Sequence, residues 1–183
     1  DYTTEEDILA LYVMGTLEYD KAIVTAGVRY EDTSFSSVGY NEADNFAKVN
    51  AKKDYSFLAP SFNIKYFLSD DLIVRAAITR SLARPGFSES NTVSEFERED
   101  DNLFKGSMGN PDLDPYESSN YDLSLEYYGE TRSASIGYFK KDIENAIYPL
   151  VTSGVFNNIN FSELETFVNS GDSDVSGFEL NFF

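Results

Sequence analysis

Hydrophobic and polar residues alternate with a period of two along most of the chain. From Ile8 to Tyr19, one parity holds Leu9, Leu11, Val13, Gly15, Leu17 and Tyr19, and the other holds Ile8, Ala10, Tyr12, Met14, Thr16 and Glu18. The next run sets Ala22, Val24, Ala26, Val28 and Tyr30 against Ile23, Thr25, Gly27, Arg29 and Glu31. Successive side chains of a strand point to opposite faces, so this alternation predicts strands with one apolar and one polar face. The same reading along the whole chain predicts seven strands, at about 7–19, 21–33, 55–67, 72–82, 118–128, 132–147 and 174–183.

The connections between these strands alternate in length. Those at Asp20-Lys21, Ser69-Asp71 and Gly129-Arg132 are tight, whereas about 34–54, 83–117 and 149–173 are long. Tight periplasmic turns and long extracellular loops are the habit of an up-and-down barrel in the outer membrane. Nothing in a soluble sandwich forces its loops to alternate in this way. Runs of ten or more residues also exceed the usual strand and suit a tilted crossing of the hydrocarbon. The predicted fold class is therefore all-β: an antiparallel up-and-down transmembrane β-barrel, present in part as about seven strands of a larger wall, with residues 1–183 as one partial barrel domain. Seven strands leave two open edges, which lipid does not tolerate and which invite pairing in water. The remaining strands are therefore expected from elsewhere. Tyr12, Tyr19, Tyr30, Tyr66, Tyr121, Tyr127 and Phe182 lie near strand ends, where aromatic girdles are expected. Pro60 lacks a backbone donor, so a bulge or a weakened strand pair is expected there.

Composition narrows the chemistry. The chain has no Cys, no His and no Trp, so disulfides, thiolate catalysis and the commonest zinc ligand are absent. The net charge of −18 leaves no basic stripe for nucleic acid, while 15% aromatic content speaks against acidic disorder. No apolar run reaches the roughly 20 residues of a spanning helix, a test that barrel strands do not have to meet. The first residues, Asp1 to Asp7, carry no signal-peptide pattern, so a mature or internal segment is expected.

Tyr55-Ser56-Phe57-Leu58-Ala59-Pro60-Ser61-Phe62 is followed by Tyr66-Phe67-Leu68-Ser69-Asp70-Asp71-Leu72 and then by Ala83-Arg84-Pro85-Gly86-Phe87. Further on stand Gly109-Asn110-Pro111-Asp112-Leu113-Asp114-Pro115-Tyr116-Glu117, Phe139-Lys140-Lys141-Asp142-Ile143 and Val175-Ser176-Gly177-Phe178-Glu179-Leu180. In this order the segments resemble the later part of the barrel of TonB-dependent receptors, over nearly the whole chain. The Asn-Pro-x-Leu-x-Pro segment is the most specific, with Tyr116 interposed before the acid that the family often places directly after Pro. The resemblance implies a 22-stranded barrel around a plug, in the outer membrane of a Gram-negative bacterium. It implies active uptake of a scarce ligand (siderophore, cobalamin or oligosaccharide) powered through the TonB complex. The implied partners are outer-membrane lipid, the plug and the other barrel strands. Plug and TonB-contacting segment are not in these residues, so this part is not expected to transport alone.

The polar parity carries Glu18, Arg29, Glu31, Asn63, Lys65, Arg75, Thr79, Asp122, Glu126, Lys141 and Glu179, which a wet lumen accounts for. Arg29, Lys65, Arg75, Arg84 and Glu126 are the candidate ligand-contacting residues. Glu95-Phe96-Glu97-Arg98-Glu99-Asp100-Asp101 lacks the register of a calcium loop and reads as a solvated charge run. No metal site, catalytic residue or cofactor is expected. Paired carboxylates could in principle hydrolyse glycosides, but acids this abundant form such pairs by chance. The anionic mouth favours a neutral or cationic ligand, for example a sugar. The alternative is a surface adhesin or structural β-protein, whose apolar face would pack on a second sheet.

Overall fold

The structure, a computed structural model, describes residues 2–41, 47–100, 103–156 and 159–183. Seven long antiparallel strands form the wall: β1 (Thr3–Tyr19), β2 (Ala22–Asn41), β3 (Ala47–Phe67), β4 (Leu72–Ala83), β7 (Tyr116–Tyr128), β8 (Ser133–Glu144) and β11 (Ser173–Phe182). Their spatial order is their chain order, β1-β2-β3-β4-β7-β8-β11, each paired with the next. The seven predicted runs all fall on these strands, and the three tight connections stand where the sequence placed them.

The long connections differ from expectation. Residues 34–41 and 47–54 are strand, because β2 and β3 stay paired as far as Asn41↔Ala47. The loop after β4 holds a four-residue helix α1 (Phe87–Ser90) and the strands β5 (Ser94–Asp100) and β6 (Leu103–Met108). The loop after β8 holds β9 (Ile147–Phe156) and β10 (Ile159–Asn169), so the expected strand 132–147 ends at Glu144. These four strands assemble as β5-β6-β10-β9, joined to the wall sheet, among the described residues, at the bridge Asn41↔Ser94.

Cross-strand register fixes what each face is. One row runs Leu17↔Val24↔Ile64↔Ala76↔Leu123↔Tyr138↔Phe178, and the next Tyr19↔Ala22↔Tyr66↔Val74↔Leu125↔Ile136↔Leu180. Directly opposed residues share a face, so the apolar parities of seven separate strands merge into one sheet surface. That surface is uncovered: Leu9 and Leu17 are each 67% exposed and Phe178 is 73% exposed. No second sheet packs on it among the described residues, unlike the inner faces of a sandwich. On β2 the apolar positions run from Ala22 to Tyr30, about 30 Å of strand at roughly 3.3 Å per residue. At a tilt of about 40° this gives about 23 Å of height, close to the roughly 25 Å band of outer-membrane barrels. Residues 31–41 of β2 then extend about 28 Å beyond that apolar band, by the same arithmetic.

Tyr19, Tyr66, Tyr127 and Phe182 close the apolar face at its turn end, and Tyr30 and Tyr121 lie toward the other end. Tyr12 is a correction. It pairs with Arg29 on the polar face and cannot belong to a lipid girdle. At Pro60 the ladder to β2 runs through without a shift, while the ladder to β4 ends one residue away at Ser61↔Thr79. The missing N–H thus marks a weakened pair rather than a bulge. Above it β3 and β4 part, and the buried residues gather on the polar side there: Thr33, Phe35, Ser37 and Phe57 of the wall, with Leu113, Phe161 and Leu164 of the loops.

Candidate functional site

The polar parities merge as the apolar ones do. Glu18↔Ile23↔Lys65↔Arg75↔Ser124↔Gly137↔Glu179 is one row, and Thr16↔Thr25↔Asn63↔Ala77↔Asp122↔Phe139↔Gly177 is the next. Thr79↔Asn120↔Lys141, Arg29↔Ala59, Glu31↔Phe57 and Ile73↔Glu126 continue the same face. All eleven residues read as lumenal from the sequence therefore lie on one surface, which forms an open trough of about 450 Å³ beside Lys65, Arg75, Asp122 and Glu179.

The five candidate residues fall into two groups on this surface. Near the turn end, Arg75 Nε donates to Glu126 Oε2 at 2.9 Å, and Glu126 also accepts from Ser124 Oγ at 3.0 Å and Tyr128 Oη at 3.1 Å. Lys65 is the cross-strand partner of Arg75, and its ammonium stands 4.4 Å over the Phe67 ring. The other group lies about 20 Å up the wall, six residues along β3 at roughly 3.3 Å each. There Glu31 accepts from Arg29 Nε at 2.6 Å and from an Arg84 terminal nitrogen at 2.6 Å. Arg84 also donates to Thr33 Oγ1 at 3.2 Å and approaches Glu6 at 3.7 Å. Arg84 leaves the end of β4 and crosses to β2, so it draws the following chain onto the polar face. Arg84→Ala should loosen residues 84–93, by about 1 kcal/mol or less because the pair is partly exposed. Hydrogen exchange of that segment measures the effect.

The loop after β4 continues inward. The Ser37 hydroxyl, fully buried, accepts the Thr92 N–H at 3.2 Å. Lys53 donates to the Asp112 carbonyl at 2.5 Å and pairs with the Asp114 carboxylate at 2.7 Å. The segment 109–117 gains a structural role here. Asn110 takes its N–H to the Glu89 carbonyl at 2.7 Å, accepts the Asp112 N–H at 3.0 Å, and donates through Nδ2 to the Phe167 carbonyl at 2.8 Å. Gly109 passes so close to Asn91 that a Cβ would sit 2.4 Å from its carbonyl oxygen. Leu113 is 2% exposed. The Pro-flanked Asn and Leu thus act as a clasp between two loops, a role their spacing alone did not disclose. Asn145, which donates to the Pro115 carbonyl at 3.4 Å, and Asn169, whose side-chain amide binds the Asp114 backbone, complete the clasp and carried no sequence signal.

The loop sheet is two-faced. Phe161 packs on Phe96 with centroids 4.9 Å apart and on Phe104 at 6.5 Å, and Leu164 is 0% exposed. On the opposite parity, Glu95↔Ser107, Glu97↔Lys105↔Glu163 and Ser107↔Glu165 place four carboxylates around one lysine. The hydrogen bond from Lys105 to Glu163, 2.7 Å long, raises the lysine above its ordinary value of 10.5, with the Glu163 charge adding to the effect. A raised lysine pKa favours the folded pair below pH 10.5 and loses that contribution as pH climbs through the raised value. The pair is accordingly intact at neutral pH. No group of three or more His, Cys, Asp or Glu side chains is arranged to hold a metal ion among the described residues.

A family model described as "TonB dependent receptor-like, beta-barrel" matches residues 1–183. No curated protein matches the chain by sequence. Among solved structures, the hemophore receptor HasR of Serratia marcescens is similar with a TM-score of 0.68 at 15% identity, over 97% of this chain and 32% of that one. The ferric-catecholate import receptor Fiu of E. coli K12 gives 0.63 at 16% identity, over 99% and 26%. The siderophore receptor PirA of Pseudomonas aeruginosa gives 0.57 at 17% identity, over 98% and 40%. At such identities the likeness is one of fold, and the chain spans about a third of the length of these receptors.

Proposed function

The chain belongs to the TonB-dependent receptor β-barrel family, and from that premise we propose that the complete protein imports a scarce ligand across the outer membrane of a Gram-negative bacterium. In this reading the residues described here form part of its wall and mouth. The observation that supports it most is the register, which sorts seven strands into one uncovered apolar face and one ionic face. A wall between lipid and a wet channel requires this division. An adhesin stacked in water has no use for it.

The ligand class is read from the mouth. Glu95, Glu97, Glu163 and Glu165 surround Lys105, and such a field lowers the local concentration of anions. The ligand we propose is neutral or cationic at the mouth. Below it, Arg29 and Arg84 around Glu31, and Lys65 beside Arg75 and Glu126, are proposed to line its route and to meet the plug. The plug, the TonB complex and outer-membrane lipid are the proposed partners.

Uptake by a strain whose only receptor is the complete protein tests this reading. Radiolabelled iron complexes of positive, zero and negative charge, together with an oligosaccharide, form the panel. The expected result is uptake of a neutral or cationic member that stops when the inner-membrane proton gradient is collapsed. Uptake indifferent to that gradient, or confined to the anionic complexes, contradicts the reading.

A further inference from the structure

We propose that the loops after β4 and β8 form a single lid that moves as one body, latched by reciprocal hydrogen bonds between Asn169 and Asp114. Two wall strands, β7 and β8, separate these loops in the chain, yet their hairpins share a sheet. The shared seam is the parallel pair β6–β10, with Phe161↔Phe104 and, after a register shift between Phe161 and Glu163, Glu163↔Lys105, Leu164↔Gly106 and Glu165↔Ser107. Both sides of this seam are occupied. Phe161 fills the buried side between Phe96 and Phe104, and the Lys105–Glu163 pair spans the other.

A second tie lies at the far end of β10. The Asp114 N–H donates to Asn169 Oδ1 at 2.7 Å, and Asn169 Nδ2 donates back to the Asp114 carbonyl at 2.9 Å. One side-chain amide thus imitates a strand bridge between the two loops. The same Nδ2 reaches the Asn145 carbonyl at 2.8 Å, and Asn110 binds the Phe167 carbonyl. Asn169→Ala removes all three of these Asn169 side-chain bonds at once.

Attachment to the wall is thin by comparison. Among the described residues, the lateral ladder between lid and wall is the bridge Asn41↔Ser94. The chain enters and leaves β9–β10 through Asn145 at φ 58° and Gly171 at φ 65°. Left-handed residues there break the antiparallel ladder where the β8–β11 pair, ending at Ile143↔Ser173, passes into the β9–β10 pair, starting at Ile147↔Asn169, and across the break the Ser170 N–H donates to the Ala146 carbonyl at 2.8 Å. The segment 84–93 and residues 110–114 lie over the polar face of the upper wall, where Ser37, Arg84 and Lys53 hold them. A body so joined covers the outer end of the lumen, and a force on either loop displaces both.

Hydrogen exchange on the complete protein in lipid bilayers, wild type against Asn169→Ala, tests the coupling. It reads the fold alone, so its outcome is separate from that of the uptake assay. The expected result is at least tenfold faster exchange in residues 103–108 and 159–168 together, with peptides covering 22–30 and 120–127 unchanged. Acceleration confined to 159–168, or none in either hairpin, overturns the proposal. A second measurement uses Lys105→Cys with Glu163→Cys in the complete protein, with any cysteine outside these cysteine-free 183 residues replaced by serine. A disulfide forming in more than half of the assembled protein supports a standing seam, and failure to form under mild oxidation contradicts it.

Discussion

Leu123→Arg should destabilise the barrel by about 2–4 kcal/mol, the cost of a cation at mid-bilayer on a lipid-facing position. Leu123 stands between Ala76 and Tyr138 in a row that runs across all seven wall strands. Its side chain is half exposed on the uncovered apolar face. The change should deplete the complete protein from the outer membrane, read as loss of the heat-modifiable folded band and an earlier urea midpoint in liposomes. Thr25→Arg supplies the comparison. Thr25 lies on the opposite parity, between Thr16 and Asn63, where arginine meets water. Its cost should stay below about 1 kcal/mol, as for an exposed surface site. Equal costs at the two positions would mean that the faces do not differ in solvent.

Leu113→Ala should cost about 2–5 kcal/mol, the range for truncating a buried leucine whose site cannot collapse. Leu113 is packed under the clasp with Pro85, Pro111 and Phe35. The loss falls on the loops rather than the wall, because no ladder of β1 to β4 passes through this residue. Limited proteolysis of the assembled protein should show cuts within 84–117 at protease levels that leave wild type intact, while the wall retains its heat-modifiability. Cutting at wild-type rate would show that the clasp does not hold the loop.

The fold was legible where one physical rule governs. A strand between lipid and water must alternate, so Leu9 to Tyr19 and Ala22 to Tyr30 disclosed both strands and faces. The tight turns at Asp20-Lys21 and Gly129-Arg132 then fixed the up-and-down order. Tyr12 was misplaced because proximity to a strand end was given more weight than its parity, which already paired it with Ala10 and Met14.

The loops were less legible because two rules compete there. Glu95-Phe96-Glu97 and Glu163-Leu164-Glu165 also alternate, but the density of carboxylates reads first as a solvated run. Only the pairing of β6 with β10, across sixty residues of chain, shows that Phe96, Phe161 and Leu164 share a buried side. For the site, the lumenal parity of Arg29, Lys65, Arg75 and Glu126 followed from alternation. Their ion pairs did not, since Arg84 reaches Glu31 across the parting of β3 and β4. Asn169 was invisible for the same reason: its partner Asp114 is distant in sequence.

The central claim is that one parity of these strands faces lipid and the other a wet lumen. These 183 residues contain no cysteine, and with any cysteine elsewhere in the complete protein replaced by serine, single thiols at 23 to 28 of β2, spin-labelled one at a time in bilayers, report that claim directly. Accessibility to oxygen should peak at Val24, Ala26 and Val28, and accessibility to a water-soluble nickel chelate at Ile23, Thr25 and Gly27, with a period of two. A flat profile, or the two reagents in phase, would contradict it.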